Sequence, residues 1–211
     1  IDITGYNKID PTDATITIAV KGNEINFYYA KRTDLSYTVN YLKAEKNPIT
    51  EEITVVKDKD GKPVSVAESV TRYNKTYGEI YTETAVDVNG YSVEGLGIEG
   101  VVVDADNKIL DFYYTADAAK IAFEENGGSA VADMDGVTAQ AIGNTAMPET
   151  TRAGYDFQGW YDNRELSGEP VEALPSAFPA GTTTYYAKWA EDRTDTVEAS
   201  VFGNRNIDTL A

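Results

Sequence analysis

The chain has 211 residues, of which 42% are hydrophobic and 25% are charged, an ordinary composition for a folded protein. It contains no Cys and no His, which excludes disulfides, thiolate nucleophiles, Cys-ligated zinc and acid–base catalysis by histidine. The formal net charge of −17 disfavours contact with nucleic acid or with anionic lipid headgroups.

The negative charge is spread along the chain. Residues 1–32 hold 4 acidic and 4 basic side chains, whereas residues 33–116 hold 15 and 8 and residues 117–190 hold 11 and 4. We expect a solvated acidic surface, with a patch for a basic partner as the alternative. No run approaches the roughly 18 apolar residues of a membrane helix, so we expect no membrane insertion. The opening IDITGYNKID has neither an initiator Met nor an export signal, and predicts a piece of a longer protein.

A repeat organises the first half of the chain. Ile25–Arg32 (INFYYAKR) is nearly copied 85 positions later by Leu110–Asp117 (LDFYYTAD), and the match continues without a gap back to residue 1. There, Ile1–Tyr6 (IDITGY) aligns with Val86–Tyr91 (VDVNGY). A fixed period of this kind is typical of modular arrays. It predicts that residues 1–32 are the closing part of a module and that residues 33–116 are a complete copy.

The complete copy has strand patterns throughout. Two-residue alternation predicts one buried face in the first strand and one in the last, made by Tyr37, Val39 and Tyr41 and by Leu110, Phe112 and Tyr114. The turn sequence DKDGKP (Asp58–Pro63) between two β-rich stretches predicts a hairpin. The turn DADNK (Asp104–Lys108) predicts a second hairpin that closes the module by pairing VVV with ILDFYY.

A different pattern begins at Lys120. The stretch KIAFEENGGSAV predicts a strand that ends in an Asn-Gly-Gly turn. Gly181–Ala190 (GTTTYYAKWA) predicts a closing strand with Thr183, Tyr185, Ala187 and Trp189 on one face. The Pro- and Gly-rich residues 166–181 predict a loop, and Glu191–Ala211 predicts a linker or the start of a further module.

Residues 117–190 resemble the Listeria–Bacteroides repeat, also called the internalin B-repeat type. The resemblance rests on an Asn-Gly-Gly turn, an Arg-x-Gly-Tyr-x-Phe-x-Gly-Trp-Tyr block and a closing Ala-Lys-Trp. These blocks comprise Asn126, Gly127, Gly128, Arg152, Gly154, Tyr155, Phe157, Gly159, Trp160, Tyr161, Ala187, Lys188 and Trp189.

The repeat in residues 1–32 and 33–116 is similar to the MucBP, or mucin-binding-protein, type. The similarity rests on an opening Tyr-x-Val-x-Tyr (Tyr37–Tyr41), on YGEIY (Tyr77–Tyr81), on Gly90–Tyr91 and on the aromatic closing strand. Both resemblances imply small β-grasp or ubiquitin-like modules in an extended array on bacterial, often Gram-positive, surface proteins. We therefore expect a mainly β fold, with α+β as the alternative.

The aromatic residues are the first candidates for a binding site, because exposed rings stack on sugars. Small modules need large aromatics for their cores, so we expect Trp160, Trp189, Phe27 and Phe112 to be structural. One ring of each Tyr-Tyr pair must face outward, which makes three tyrosines the candidates for exposed aromatics: Tyr28, Tyr113 and Tyr186.

Catalytic and metal sites have no convincing candidates. The pairs Glu51-Glu52 and Glu124-Glu125 are adjacent in strand patterns, so the two carboxyls of a pair point to opposite faces and cannot flank one glycosidic bond. The loop at Asp58 lacks the glutamate that an EF-hand carries at position twelve, where this chain has Ser69. We expect no catalytic residues, no metal and no cofactor, and we assign no ligand-binding residue.

The absence of catalytic candidates predicts a non-enzymatic protein, and the two resemblances imply that it is part of an extracellular, cell-wall-associated surface protein with stalk or adhesion repeats. The alternative is a lectin-like adhesin module that binds mucin or another glycan. The partners in either case would be host or bacterial surface glycans or proteins.

Overall fold

In the computed structural model, residues 1–10, 13–143 and 145–192 are described. These residues form thirteen β-strands and no helix, which confirms the mainly β class. None of the described segments is a helix that could cross a bilayer. In chain order the strands are β1 (Tyr6–Ile9), β2 (Tyr28–Lys31), β3 (Leu35–Lys46), β4 (Ile53–Val55), β5 (Ser65–Lys75), β6 (Ile80–Thr84), β7 (Tyr91–Val93), β8 (Ile98–Val102), β9 (Lys108–Ala116), β10 (Ala118–Glu124), β11 (Met134–Val137), β12 (Tyr155–Tyr161) and β13 (Gly181–Glu191).

The described residues divide into two units. The first unit contains Ile1–Ala119 and Val137–Ala139, and the second contains Lys120–Gly136 and the chain from Gln140 onward. The boundaries predicted at 32, 116 and 190 for the modules stay predictions. The predicted tail falls almost entirely outside the described residues, except that β13 runs on to Glu191, which pairs with Tyr155.

The long strand β3 is the centre of the first unit. Along one edge β3 pairs in parallel with β9, which in turn pairs with β7. Along the other edge β3 pairs antiparallel with two strands, with β5 over its first part and with β4 at its end. The predicted faces are confirmed, since the buried core cluster contains Tyr37, Val39 and Tyr41 from β3 together with Phe112 and Tyr114 from β9. The first and last strands of the predicted complete module, β3 and β9, are thus parallel neighbours.

The hairpin predicted around DKDGKP is present but short: Lys57 pairs antiparallel with Pro63, and Val64 N donates to Val56 O at 2.9 Å. Asp58 Oδ1 accepts hydrogen bonds from the backbone N–H groups of Asp60 and Lys62, both at 2.9 Å, so the turn itself forms. The flanking strands β4 and β5, however, pair with β3 and not with each other. The turn is therefore an excursion between two strands that follow one another along the same edge of β3.

The hairpin predicted to close the module is wrong. The turn at Asp104–Lys108 exists, with Asn107 at φ +57°, but β8 pairs antiparallel with β6 in a separate two-stranded sheet. Strand β9 pairs instead with β3 and β7. Adjacent strands in sequence often pair, but here β8 and β9 belong to different sheets, and Val101 and Val103 from the β8 side join the buried cluster.

The 85-residue repeat is reproduced bond by bond. Strands β1 and β2 pair as Tyr6 with Lys31 and Lys8 with Tyr29; β7 and β9 pair as Tyr91 with Ala116 and Val93 with Tyr114, which is the same register moved by 85. Gly5 and Gly90 have φ values of +79° and +80°. Three hydrogen bonds also recur at that spacing. Tyr6 N donates to Ile3 O as Tyr91 N donates to Val88 O, and Arg32 N donates to Gly5 O as Asp117 N donates to Gly90 O. The third is a side-chain bond, from Tyr29 Oη to Ile1 O in one copy and from Tyr114 Oη to Val86 O in the other.

The two copies differ in burial, which corrects the expectation that Phe27 is a core residue. Phe27 is 42% exposed, whereas its counterpart Phe112 is 2% exposed and stacks on Tyr41 with ring centroids 6.0 Å apart. Tyr41 lies on β3, in the opening half of the complete module. Residues 1–32 have no described strand in the place of β3, so the Phe27 ring stays uncovered.

The second unit is built on one four-stranded sheet in the order β11-β10-β13-β12. The predicted strand at Lys120 and its Asn-Gly-Gly turn are confirmed, with Asn126 at φ +50° and Gly127 at +91°. In β13, Tyr185 and Ala187 are buried as the alternation predicts. The segment 166–180 forms no strand, as predicted, but it contributes the buried side chains of Leu174 and Phe178.

Candidate functional site

Trp160 lies in the core of the second unit and is not available for a ligand. It is 1% exposed, and its indole Nε1 donates a 2.7 Å hydrogen bond to the carbonyl oxygen of Pro148. Its ring meets those of Phe123 and Phe157 edge to face, with centroids 5.0 and 5.6 Å apart. Both the apolar ring and the polar nitrogen are satisfied inside the protein, which is the structural role predicted for it.

Trp189 is half-buried, and both its ring and its indole nitrogen have partners within the protein. Its Nε1 donates to the carbonyl oxygen of Glu125 at 2.8 Å, and its ring packs on Phe157 at 5.3 Å. A Cβ added at Gly128 would lie 2.5 Å from Trp189 Cζ2, so the glycine leaves room for the indole. The tryptophan of the closing strand and the second glycine of the turn therefore fit one another.

The Asn-Gly-Gly turn is held by the other residues of the same sequence blocks. Asn126 Nδ2 donates to Ala187 O at 2.7 Å, and Arg152 Nη1 donates to Asn126 O at 3.1 Å. The Arg152 guanidinium lies 3.8 Å from the centre of the Tyr155 ring, a cation–π contact. The blocks that define the resemblance thus bind each other and build the fold.

Lys188 has the same structural character. Its Nζ donates to Leu166 O at 3.0 Å and lies 4.7 Å from the centre of the Tyr161 ring. It pins the start of the irregular segment 166–180 to the closing strand.

The three tyrosines proposed as exposed aromatics do not make one platform. Tyr28 is 60% exposed on β2, but Tyr113 and Tyr186 are half-buried, and Tyr186 faces the Arg164 guanidinium at 5.8 Å. Tyr73 on β5 is even more exposed, at 69%, and was not singled out from the sequence. Its neighbours Val70 and Arg72 on β5 are half-buried, so the strand alternation was the signal that could have found it.

The two carboxylate pairs lie beside strands β4 and β10, and Glu51 and Glu52 precede β4 instead of lying within a strand as predicted. Glu51 has a positive φ of +57° in the turn before β4, and Glu52 lies in the same exposed turn. Glu125 uses its Oε1 to accept a 2.6 Å hydrogen bond from the backbone N–H of Val131, while Glu124 is exposed at the end of β10. Across the described residues, no three carboxylates gather in a way that could hold a metal ion.

One polar cluster in the first unit was missed by sequence reasoning. Glu83 on β6 accepts two hydrogen bonds from Arg72, at 2.8 and 3.0 Å, and one from Tyr37 Oη at 2.7 Å. Lys75 Nζ lies 4.4 Å from the centre of the Tyr81 ring. Only the folded pairing of distant strands brings these groups together, so no sequence signal marks them.

The protonation states in this cluster reinforce one another. The hydrogen bonds from Arg72 lower the pKa of Glu83 against the opposing effect of burial, and the bond from Tyr37 lowers it further. Burial, followed by the hydrogen bond to Glu83, raises the pKa of Tyr37 to about 12. A carboxylate that already accepts three hydrogen bonds serves to hold strands together and is not a free acid or base.

The sequence blocks of the second unit match a known family. Residues 120–188 match the sequence model of the Listeria-Bacteroides repeat domain. The chain is also 28% identical over 176 residues to Internalin H of Listeria monocytogenes, a match that covers 75% of this chain and 31% of that protein. It is 29% identical over 85 residues to a protein of Evansella cellulosilytica described as a Gly-rich membrane protein, covering 40% of this chain and 9% of the relative. The chain thus spans less than a third of the length of either of these curated relatives.

The Listeria–Bacteroides resemblance of the second half is therefore confirmed, and its repeat residues are those that lock the turn, β12 and β13 together. The MucBP resemblance of the first half stays a prediction.

Proposed function

We propose that this chain is a non-enzymatic run of repeats from a bacterial cell-surface protein, acting as a stalk that holds a binding region away from the cell wall. The observation that carries the proposal is that several aromatic residues pack inside the protein. Trp160, Trp189 and Phe112 are used inside their units, and Arg152 and Lys188 are engaged with neighbouring rings and carbonyls. The likeness to Internalin H and to the Listeria-Bacteroides repeat supports an extracellular, surface location.

A spacer exchange on living cells tests the stalk. The full parent protein is displayed on a Gram-positive cell, and this segment is deleted or replaced by an unrelated rigid spacer of similar length. A stalk predicts that deletion lowers adhesion and that the unrelated spacer restores it. Failure of a spacer of matched length to restore adhesion would contradict the proposal.

The alternative is a lectin-like module that binds mucin or another glycan, and exposed tyrosines favour it. Tyr28 is 60% exposed and Tyr73 is 69% exposed. On a glycan array the stalk predicts no signal above background for the full chain. Weak but selective binding that is lost in Tyr28→Ala or Tyr73→Ala would establish the lectin instead.

We also propose that residues 1–32 are the closing half of a repeat of the same kind as residues 33–116. The shared strand register and the shared hydrogen bonds support it, as does the place of the exposed side chains. Ile18 is 84% exposed and Phe27 42% exposed, whereas their counterparts Val103 and Phe112 are buried against the opening half of the complete copy.

A fusion tests that assignment. A second copy of residues 33–85 is placed directly before Ile1, because Ile1 is the counterpart of Val86. The added half should cover Ile18 and Phe27, so amide exchange in β2 should slow to the rate found in β9. A control fusion with the order of the added residues scrambled should leave β2 exchanging rapidly. Equal exchange in the two fusions would refute the assignment.

A further inference from the structure

The turn at Gly5–Tyr6 contacts a residue outside its own repeat. The ring of Tyr77, from the complete copy, lies directly over Gly5, where an added Cβ would overlap the ring carbons. The same ring lies 6.0 Å from the ring of Tyr6, at an interplanar angle of 59°. Gly5 therefore has two reasons to be glycine: its φ of +79° and the aromatic ring above it.

The backbone joins the two segments at the same place. Arg32 N donates to Gly5 O at 2.9 Å, and Arg32 O accepts from Tyr77 N, also at 2.9 Å. One residue thus ties the Gly5 turn on one side and Tyr77 on the other. The Arg32 side chain makes two 2.9 Å hydrogen bonds to the Asp34 carboxylate, which bridges the short connection between β2 and β3.

Tyr77 is held firmly by its own repeat. Gly78 N donates to Val103 O at 2.8 Å, and Val103 N donates to Glu79 O at 3.0 Å, which fixes the segment to a fully buried residue. Part of the Tyr77 ring also packs on the core cluster of the complete copy. A ring anchored in this way transmits the orientation of its repeat to whatever it contacts.

The carbonyl at the end of the next copy is used in the same manner. Asp117 O, 85 positions after Arg32 O, accepts a 2.9 Å hydrogen bond from Thr138 N. Arg32 and Asp117 each directly follow a closing strand, and the carbonyl of each accepts a hydrogen bond from an N–H that lies later in the chain than its own copy.

We propose that the Gly5–Tyr6 turn is a socket for an aromatic side chain of the following repeat, and that Tyr77 in this socket fixes the angle between consecutive repeats. The partner that fits is the opening half of a repeat with an aromatic-Gly pair at this point, as in Tyr77-Gly78. The inference rests on the proposal that residues 1–32 and 33–116 are consecutive repeats. It gives a stalk stiffness at the joint, because an aromatic ring, a backbone hydrogen bond and an ion pair act across a connection of three residues, 32–34.

Spin-label distances in the full chain test the socket. The absence of Cys lets Asn7→Cys on β1 and Glu68→Cys on β5 take labels without background. The parent chain and Tyr77→Phe should give one narrow distance distribution, since the Tyr77 ring and not its hydroxyl fills the socket. Tyr77→Ala should lose the narrow peak, whereas the matched control Tyr73→Ala, at an exposed tyrosine nearby on β5, should keep it. A broad distribution in the parent chain, or a narrow one in Tyr77→Ala, overturns the socket.

A second pair and a second variant separate the joint from the fold. Labels at Glu68→Cys and Glu99→Cys lie within the complete copy, and their distance should be unchanged by Tyr77→Ala if that copy stays folded. If it changes, Gly5→Ala replaces the test, because it blocks the socket from the other side and leaves Tyr77 in place. Gly90→Ala carries the same backbone strain and is its control. The proposal predicts a broader distribution of Asn7–Glu68 label distances in Gly5→Ala than in Gly90→Ala. Equally narrow distributions in the two variants would refute it. Neither outcome depends on the glycan array or the spacer exchange.

Discussion

Residues 1–32 and residues 86–117 are two copies of one sequence pattern in different surroundings. Their turns, strand register and hydrogen bonds agree, with Tyr29 Oη to Ile1 O at 2.7 Å in one and Tyr114 Oη to Val86 O at 2.8 Å in the other. Their side-chain burial does not agree, because only the second copy has β3 and β6 beside it. The comparison separates what the local sequence determines, which is backbone geometry, from what distant strands supply, which is a core.

The largest expected effect comes from removing the same ring in both copies. Phe112→Ala should lower the free energy of unfolding by about 3–5 kcal/mol, since it deletes a buried aromatic stacked on Tyr41. Phe27→Ala should cost less than about 1 kcal/mol, because much of that ring already contacts water. Urea denaturation with amide exchange in β9 and β2 measures the two. Both tryptophans lie in the second unit, so an unchanged Trp fluorescence transition is the control. Similar losses from the two variants would contradict the difference in burial.

Much of the local structure could be predicted from the sequence, because it depends on residues close in the chain. The alternation of Tyr37, Val39 and Tyr41 gave the buried face of β3, and the turn glycines placed the ends of strands. Pairing partners could not be obtained in this way. The VVV stretch is followed at once by a good turn, yet β8 pairs with β6 because Val101 and Val103 are needed in the core between two sheets.

The candidate sites show the same limit. The sequence predicted a core role for Trp160, because large rings have few other places in a small module. Nothing in it marked Glu83 as the partner of Arg72 and Tyr37, which are 11 and 46 positions away. It also placed Phe27 in a core, because the sequence of the closing half is the same whether or not an opening half lies against it.

A second, smaller effect depends on pH and belongs to the complete copy alone. The hydrogen bonds from Arg72 hold the pKa of Glu83 below its usual value. Its carboxylate therefore stabilises the fold above the unfolded-state pKa of about 4.3, and this contribution is lost as the pH falls through the lower folded-state pKa. Glu83→Gln should cost about 1–2 kcal/mol at neutral pH, a modest value because the Arg72 side chain is 42% exposed and its charge is screened.

The measurement is urea denaturation of Glu83→Gln and the parent at several pH values from neutral to acidic. The difference between them should shrink toward zero in acid, since the parent then also lacks the charge. Glu68→Gln, at an exposed position on β5, should follow the parent throughout. A difference that stays constant with pH would mean that the Glu83 charge does not contribute in the way the structure indicates.

The smallest effect concerns a bond that both copies make. Tyr114→Phe removes the donor to Val86 O in a partly buried place and should cost about 1 kcal/mol, whereas Tyr29→Phe removes the matching donor to Ile1 O in an exposed place and should cost less than about 0.5 kcal/mol. The bond lengths are nearly equal, so geometry alone predicts equal losses. Water can replace the hydroxyl at Ile1 O more easily than at the partly buried bond to Val86 O, so surroundings predict unequal losses. Amide exchange of β2 and β9 in the two variants decides between these expectations. Equal destabilisation would mean that each closing half is stabilised by its own hydrogen bonds. The opening half would then add buried surface without changing the free energy that those hydrogen bonds contribute.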